Sequence, residues 1–266
     1  MPDPPSLPLV RWADGAALGV DVAVTTRHGG VSAAPFDTLN LGLHVGDDPE
    51  RVVTNRRRAA AAFGAALEDV AFGRQVHGAR AAVVGPQERG RGACADDDAL
   101  PSADVLVTVT PGITLAIMVA DCVPLALVDP ESRVLAAVHA GWRGAAAGAV
   151  GAALRAMQDC GAEARRIHAF IGPAVHPDRY QVTDEVQQGL AAVIAPAPLE
   201  PGVARPDGPA HWLVDLVAAN RQQLVAGGVR RERIIECAAT TADEQFFSDR
   251  AQRPCGRFAL LARLLD

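Results

Sequence analysis

Short runs of hydrophobic residues alternate along the chain with longer, alanine-rich stretches whose hydrophobic positions recur at helical spacing. Short apolar runs bounded by turn residues predict strands, whereas recurrence every three to four residues predicts amphipathic helices. The predicted strands span residues 20–27, 78–85, 102–110, 133–140, 166–175 and 233–241. The predicted helices span residues 51–67, 144–161, 184–195 and 212–228.

One hydrophobic run, residues 113–129, is nearly continuous and too long for a single strand. Pro124 lies in its middle, and proline cannot donate the hydrogen bond that a central strand requires. We therefore predict two strand pieces joined by an irregularity around residues 121–123. The final apolar segment of the chain, within residues 246–264, follows a turn that contains Ser248, Arg250 and Arg257.

Interspersed strands and helices of this kind are typical of a layered α/β or α+β fold. The chain has 266 residues, of which 49% are hydrophobic, and its glycines and prolines are spread along it rather than gathered in a linker. We therefore predict one domain over residues 1–266, in which residues 1–19 form an N-terminal extension or an edge strand.

Composition and charge exclude several classes of function. The net charge is −6 and no basic stripe is interleaved with aromatic residues, so we expect no nucleic-acid partner. No apolar stretch is long enough for a membrane span, and the first residues lack a signal-peptide pattern, so we expect a cytoplasmic protein without membrane association. All basic residues are arginine, which excludes Schiff-base chemistry on a lysine. Five scattered cysteines argue against a disulfide framework.

Three segments place a reactive side chain at a turn or a strand end, where scaffolds commonly hold functional groups. His77 lies in a glycine-flanked turn, Cys122 at the break before Pro124, and His139 at the end of a strand. Two imidazoles and a thiolate suit zinc and leave its fourth position open for water or substrate. The separations of 45 and 17 residues match no known zinc-finger spacing. A buried core thiol and turn-capping histidines remain the alternative.

Arg143 follows a glycine at the start of a predicted helix, where free N–H groups and the helix dipole favour an anion. We interpret it as a candidate phosphate ligand, with an ordinary surface arginine as the alternative. Residues 25–50 have little hydrophobic periodicity and contain many polar residues and glycines. Asn40 and His44 in this segment suggest a binding loop. An irregular loop without function is the alternative there.

Several of these stretches together resemble one known family. They are "RHGGVS…LNLGLHVGDDPERVVTNR", "QVHGA", "ADVLVT…PGITLAIMVADCVPLALVDP", "AAVHAGWRG", "IGPAV…YQV" and "SDR…CGRFAL", in the family's order and approximate spacing. The family is that of the bacterial YfiH-like, laccase-domain proteins, whose members carry the names multicopper polyphenol oxidase and peptidoglycan editing factor. The resemblance extends from about residue 20 to the end of the chain.

The resemblance implies a layered sandwich with mixed β-sheets, related in shape to bacterial toxins that use a Cys-His pair. It also implies zinc bound by His77, Cys122 and His139, which would be both metal ligands and catalytic residues, with Asn40 and Arg56 lining the same site. The implied activities are phosphorolysis of adenosine, inosine, guanosine and S-methyl-5′-thioadenosine, and deamination of adenosine. Nucleosides and phosphate would be the small-molecule partners.

Residue chemistry leaves the roles within this activity open. Arg56 or Arg143 would hold phosphate, and Asp121 or His44 would move the proton during deamination. Copper is the less favoured metal, because seven histidines without a His-x-His pair cannot supply several copper centres. Met118 remains a possible axial ligand for a single copper.

Two further functions are compatible with the same residues. One is a metal-free hydrolase with Cys122 as nucleophile and His139 as base. The second is a metal-dependent binding protein in cell-wall assembly, which would carry out no reaction.

Overall fold

The computed structural model describes residues 7–266, so residues 1–6 of the predicted N-terminal extension lie outside the described residues. The strands, numbered in chain order, are β1 (Leu9–Arg11), β2 (Val20–Thr25), β3 (Val70–Phe72), β4 (Ala81–Val83), β5 (Val105–Thr108), β6 (Thr114–Val119), β7 (Val123–Asp129), β8 (Val134–Ala140), β9 (His168–Ile171), β10 (Gln181–Thr183), β11 (Ala204–Pro206), β12 (His211–Val214), β13 (Ile234–Glu236) and β14 (Phe258–Leu264). The helices are α1 (Pro49–Phe63), α2 (Trp142–Ala146), α3 (Ala149–Asp159), α4 (Asp184–Val193) and α5 (Leu216–Ala226).

Two mixed sheets form the centre of the fold. A five-stranded sheet has the order β1-β2-β14-β6-β3, and a six-stranded sheet has the order β13-β9-β7-β8-β5-β4. Side chains of β8 alternate between two cores, because successive residues of a strand point to opposite faces. Leu135 and Ala137 pack with residues of the five-stranded sheet, whereas Val134, Ala136 and Val138 pack with the helices on the other side.

Helices cover the outer faces of both sheets. Ala59, Ala60 and Phe63 of α1 pack on Ala116 and Leu261 of the five-stranded sheet. The core outside the six-stranded sheet takes side chains from α3, α4 and α5 and from the small sheet β10-β12-β11. The two central sheets and the helices on the outer face of each form four layers. This arrangement confirms the predicted layered α/β fold with mixed sheets. Within residues 7–266, none of the helices combines the length and the apolar character needed to cross a bilayer.

Several predicted elements have different bounds in the structure. The run 113–129 is two strands, β6 and β7, as predicted, but Pro124 lies inside β7, opposite His139, rather than in the break. The break itself is at residues 120–122, where Asp121 has a φ of 84°. The predicted helix 144–161 is divided into α2 and α3 at Gly148, whose φ of 81° interrupts the helix.

The predicted helix 212–228 is wrong in its first part, because residues 211–214 form the central strand of the small sheet. Helix α5 begins after Asp215, whose carboxylate accepts a hydrogen bond from the N–H of Ala218 at 2.8 Å. This N-cap fixes the start of the helix. At the other end of the chain, β1 lies at the edge of the five-stranded sheet.

Asn55 of α1 fastens the long irregular segment that precedes the helix. Its side-chain oxygen accepts from the N–H of Val31, and its amide nitrogen donates to Ser32 Oγ and to the carbonyls of Thr38 and Asn40, over 2.8–3.1 Å. Because Asn55 is buried, these groups have no access to water as a replacement partner. The segment that leads to His44 therefore depends on one buried amide.

We expect Asn55→Ala to lower the free energy of unfolding by about 2–4 kcal/mol, since it leaves several buried polar groups unpaired. Denaturant unfolding measures this change. Thr54→Ala, at the neighbouring and partly exposed position of the same helix, is the control and should change the stability by less than about 0.5 kcal/mol. Equal stability of the two variants would contradict the anchoring role of Asn55.

Candidate active site

The register of three neighbouring strands places three polar residues in a row at one end of the six-stranded sheet. Cys122 immediately precedes β7, whose Pro124 lies opposite His139 of β8. Asp104 immediately precedes β5 on the other side of β8, and its carbonyl accepts a hydrogen bond from the N–H of His139 at 2.8 Å. Residues far apart in sequence therefore become cross-strand neighbours.

His77 reaches the same place from the segment before β4. This segment is held by the buried carboxylate of Asp104, which accepts hydrogen bonds from the N–H groups of Val76, His77 and Gly78 at 2.9–3.2 Å. His77 has a left-handed backbone, with a φ of 61°, and the three N–H contacts hold it there. On the other side, the amide of Gln75 pairs with the backbone N–H and carbonyl of Met118 at 2.8 and 2.7 Å.

His77, Cys122 and His139 converge on one point. One nitrogen from each histidine and the cysteine sulfur all lie within 4.8 Å of one another. Nδ1 of His139 is 2.8 Å from the carboxylate of Asp104, which leaves Nε2 of that ring to face the other two side chains. A carboxylate behind a histidine ligand is the usual way in which proteins orient the ring towards a metal. The donor set suits a divalent cation with one position open.

Gly141 provides the space for this convergence. A Cβ atom at this position would lie 2.7 Å from Cys122 Sγ and 3.1 Å from Cδ2 of His77. The backbone angles of Gly141 are allowed for any residue, so the requirement for glycine comes from the side chains that crowd against it. The "HAGW" sequence therefore contributes both a histidine and a close approach to the thiol.

In the absence of a metal, electrostatics favour a thiolate and an imidazolium. Burial raises the pKa of Cys122, but the charge of His139 and hydrogen bonds from both histidines outweigh it and lower this pKa to about 6. Burial lowers the pKa of His139, but the charge of Cys122 and the hydrogen bond to Asp104 outweigh it and raise this pKa to about 9. A bound cation would take the place of the imidazolium proton.

A cavity of about 530 Å³ opens above these three residues, which is within the usual range for small-molecule sites. Its walls combine aromatic, cationic and acidic side chains. These side chains include His44, Trp142, Arg143, Tyr180, Glu185, Asp249, Arg250, Arg253 and Arg257. Burial raises the pKa of the Tyr180 phenol, which therefore remains a hydrogen-bond donor. Burial, and then the charge of Arg257, lower the pKa of His44, so its imidazole is neutral near pH 7.

Arg143 lines the cavity and lies over the ring of Trp142, 4.4 Å from its centre. Within residues 7–266, its guanidinium has neither a hydrogen bond nor an ion pair in the structure. The helix that contains Arg143 has only five residues, so the predicted anion site at a helix start has little dipole behind it. The candidate anion ligand is the side chain itself.

Asn40 and Arg56 do not line the cavity. Asn40 is fully buried and bonds to the backbone of Gly42, to Asp47 and to the N–H of Arg257. Arg56 is also buried and donates to the carbonyls of Leu41, Gly92 and Ala93 and to the sulfur of Met118.

Asn40 and Arg56 therefore lie behind the wall of the cavity, where their side chains form hydrogen bonds to other protein groups. Burial lowers the pKa of Arg56 to about 10, which still leaves it a cation. Both N–H groups of the Asn40 amide and four of the five N–H groups of Arg56 are bonded within the protein.

Asp104 is a site residue that the sequence patterns do not single out. A signal for it exists, because Asp104 is an acid that directly precedes the apolar part of a predicted strand. Asp121 lines the cavity beside Cys122, but its carboxylate is bonded within the protein. Its carboxylate accepts hydrogen bonds from Thr241 Oγ at 2.5 Å and from the N–H of Arg250 at 2.6 Å, so it ties down the loop that carries the cavity arginines.

We expect the alkylation rate of Cys122 by iodoacetamide, in chelator-treated protein, to rise with pH around a midpoint of about 6. The thiolate is the reactive form, and a lowered pKa populates it at lower pH. Cys160 is the internal control, because burial and then the charge of Asp159 raise its pKa. Peptide mass spectrometry across pH 5–10 measures both rates separately. A Cys122 midpoint near 8.5, roughly the value of a free thiol, would contradict the thiolate–imidazolium pair.

Comparison with known proteins agrees with the fold and the motifs. Residues 21–264 match the family described as multi-copper polyphenol oxidoreductase laccase. The chain is 44% identical to purine nucleoside phosphorylase Rv2149c of Mycobacterium tuberculosis, over 89% of each sequence. It is 40% identical to purine nucleoside phosphorylase YlmD of Geobacillus stearothermophilus, over 88% of this chain and 86% of that one.

Solved structures give the same result. The crystal structure of YlmD from Geobacillus stearothermophilus superposes with a TM-score of 0.89 at 38% identity and covers 93% of both chains. The hypothetical protein YfiH of Bacillus licheniformis superposes with a TM-score of 0.92 at 32% identity, over 98% of this chain and 97% of that one. The chain thus belongs to the YfiH-like, laccase-domain family.

Proposed function

We propose that this protein is a zinc-dependent purine nucleoside phosphorylase that also deaminates adenosine. Its substrates would be adenosine, inosine, guanosine and S-methyl-5′-thioadenosine, with inorganic phosphate as the second substrate. Relatives at 40–44% identity that carry the name purine nucleoside phosphorylase support the phosphorolysis. The observation that carries the proposal is the convergence of His77, Cys122 and His139 beneath a cavity of nucleoside size.

The three converging side chains would hold the zinc ion. Ligand atoms around a tetrahedral zinc lie roughly 3.4–3.6 Å apart, and those of the three side chains lie within 4.8 Å of one another. Zinc in such a site supplies Lewis acidity at the open position. Asp104 would keep the Nε2 atom of His139 aimed at the metal and balance part of the positive charge.

In phosphorolysis, a phosphate oxygen forms a bond to C1′ of the ribose while the bond from C1′ to the purine nitrogen breaks. The proton carried by phosphate is then found on the free purine, and ribose 1-phosphate is the other product. Arg143, whose guanidinium has no hydrogen bond or ion pair in the described chain, would bind and orient the phosphate. The neutral imidazole of His44 would pass the proton to the purine.

In deamination, water adds at C6 of adenine and ammonia leaves. His44 and Asp121 are the two candidates for moving the proton. His44 is the better one, because both carboxylate oxygens of Asp121 accept short hydrogen bonds from Thr241 and Arg250. The phenol of Tyr180 lines the same cavity and would donate a hydrogen bond to the base or the ribose.

A metal-free cysteine hydrolase is the second candidate. The observation in its favour is the ordered series of Cys122, His139 and Asp104, in which the lowered pKa of the thiol prepares a nucleophile. In that reaction Cys122 would attack an acyl carbon, and the imidazolium of His139 would protonate the leaving group. The same three residues serve both candidates, so the metal requirement distinguishes them.

Copper-dependent oxidation of polyphenols has less support. Multicopper chemistry needs several metal centres, and the part of the chain from residue 7 onwards contains one cluster of three potential ligands. Met118, the potential axial ligand for a single copper, contacts the guanidinium of Arg56 through its sulfur at 3.3 Å. Zinc therefore fits the site better than copper.

We expect purified protein to contain about one zinc per chain and to cleave inosine only when phosphate is present. Cys122→Ser should lose the zinc and at least about 100-fold in kcat/KM, because it removes a thiolate ligand. Elemental analysis and chromatography of the products measure both quantities. Cys160→Ser, which changes a thiol at the end of α3, is the control and should keep both.

The two candidate mechanisms give opposite results in the same assay. Full activity after removal of the metal, abolished by alkylation of Cys122, would replace the zinc mechanism with the thiol mechanism. Absence of nucleoside cleavage in the zinc-loaded protein would contradict the proposed function.

We also expect Arg143→Met to raise the KM for phosphate by roughly 10-fold or more, since a charge-assisted hydrogen bond is lost. The KM for inosine should change much less. Initial rates over a matrix of phosphate and inosine concentrations separate the two values. Arg155→Met, at an exposed position of α3, controls for general loss of positive charge. A phosphate KM that is unchanged in Arg143→Met would exclude this residue as the phosphate ligand.

A further inference from the structure

A side recess adjoins the central cavity and is lined by His44, Val45, Asp249, Arg253, Pro254, Cys255 and Arg257. It shares His44, Asp249, Arg253 and Arg257 with the central cavity, whereas none of the three converging side chains lines it. The recess is therefore continuous with the reaction site but displaced from it. Part of a substrate that extends away from the reacting atoms would lie here.

One carboxylate joins the two arginines of the recess. Asp249 contacts Nε and Nη2 of Arg253 at 2.7 and 2.6 Å and Nη2 of Arg257 at 3.4 Å. The other terminal nitrogen of Arg257 already donates to the carbonyls of Cys255 and Gly256. Asp249 thus neutralises part of the charge of this arginine pair, while Nη1 of Arg253 has no bond to protein in the described residues.

Arg143, in contrast to Arg253 and Arg257, is not paired with an acidic side chain in the described residues. It faces the central cavity. An anion that enters the cavity gains a full interaction with Arg143. In the recess, the same anion meets two partly neutralised guanidiniums and is repelled by Asp249 at short range. The charges therefore direct phosphate to Arg143 and away from the recess.

We infer that Asp249 is a specificity-determining residue that makes the enzyme select nucleosides over nucleoside 5′-phosphates. The recess would receive the 5′ end of the ribose, and this assignment rests on the proposed function. An uncharged 5′ group, a hydroxyl or a thioether, fits beside Val45, Pro254 and Cys255 without disturbing the ion pairs. A 5′-phosphate would lie beside the carboxylate of Asp249, which repels it and competes with it for both arginines.

The test compares the affinities for inosine and inosine 5′-monophosphate by calorimetry in the zinc-loaded protein, without phosphate, so that neither ligand can be deaminated or cleaved. Asp249→Asn removes the repulsion and weakens the contact with both guanidiniums, so the ratio of monophosphate to inosine affinity should rise by about 10-fold or more. High salt should reduce that rise, because charge produces it. Glu244→Gln, an exposed acid of the same segment that lines neither space, is the control and should leave the ratio unchanged.

A second variant shifts the balance in the other direction. Arg253 is largely exposed, so Arg253→Gln should fold normally, and it leaves Asp249 with one arginine fewer. The ratio should then fall below that of the unchanged protein. An unaltered ratio in both variants would overturn the inference.

The binding ratio needs no turnover, so it is independent of whether the protein cleaves nucleosides. Cleavage of inosine by the unchanged protein, measured in parallel, tests the proposed function by itself. A protein that cleaves inosine but shows no change of ratio in the variants would retain the function and lose the role of Asp249.

Discussion

The carboxylate of Asp104 is the interaction on which the candidate site depends. It accepts three backbone hydrogen bonds from the segment that carries His77 and a fourth from the ring of His139. Burial alone would raise the pKa of this acid, but these hydrogen bonds outweigh burial and lower it, so the group stays ionised. One buried negative charge therefore sets the position of a loop, the orientation of an imidazole and the charge balance around Cys122.

Much of the fold could be predicted because hydrophobic periodicity reports directly on which faces are buried. The two strands in residues 113–129 and the helix after residue 48 follow from that signal. Pairing partners could not be predicted. Strand β14 lies between β2 and β6, and the sequence of β14 does not indicate that it pairs with these two strands. In residues 212–228 the alternation of a short strand merges into a helical pattern, and Asp215 marks a boundary that periodicity does not show.

The candidate site, too, could be predicted only in part from the sequence. His77, Cys122 and His139 could be proposed from strand ends and ligand chemistry, and the resemblance to a family implies the same three residues. Asn40 and Arg56 illustrate what sequence cannot supply. A polar side chain near a site can face the cavity or turn back to backbone carbonyls, and only the packing of the buried loop determines which. Arg56 turns to the carbonyls of Leu41, Gly92 and Ala93, so its charge supports the wall from behind.

The central position of β14 has a consequence for how this protein is made. Strands β2 and β6 both hydrogen-bond to β14, so each presents an unpaired edge until residues 258–264 have left the ribosome. The N–H of Arg257, just before that strand, also completes the hydrogen bonds of Asn40, which belongs to the first fifth of the chain. Nascent chains shorter than this lack a closed sheet and a finished cavity, and their open edges are the places where a chaperone would bind during synthesis.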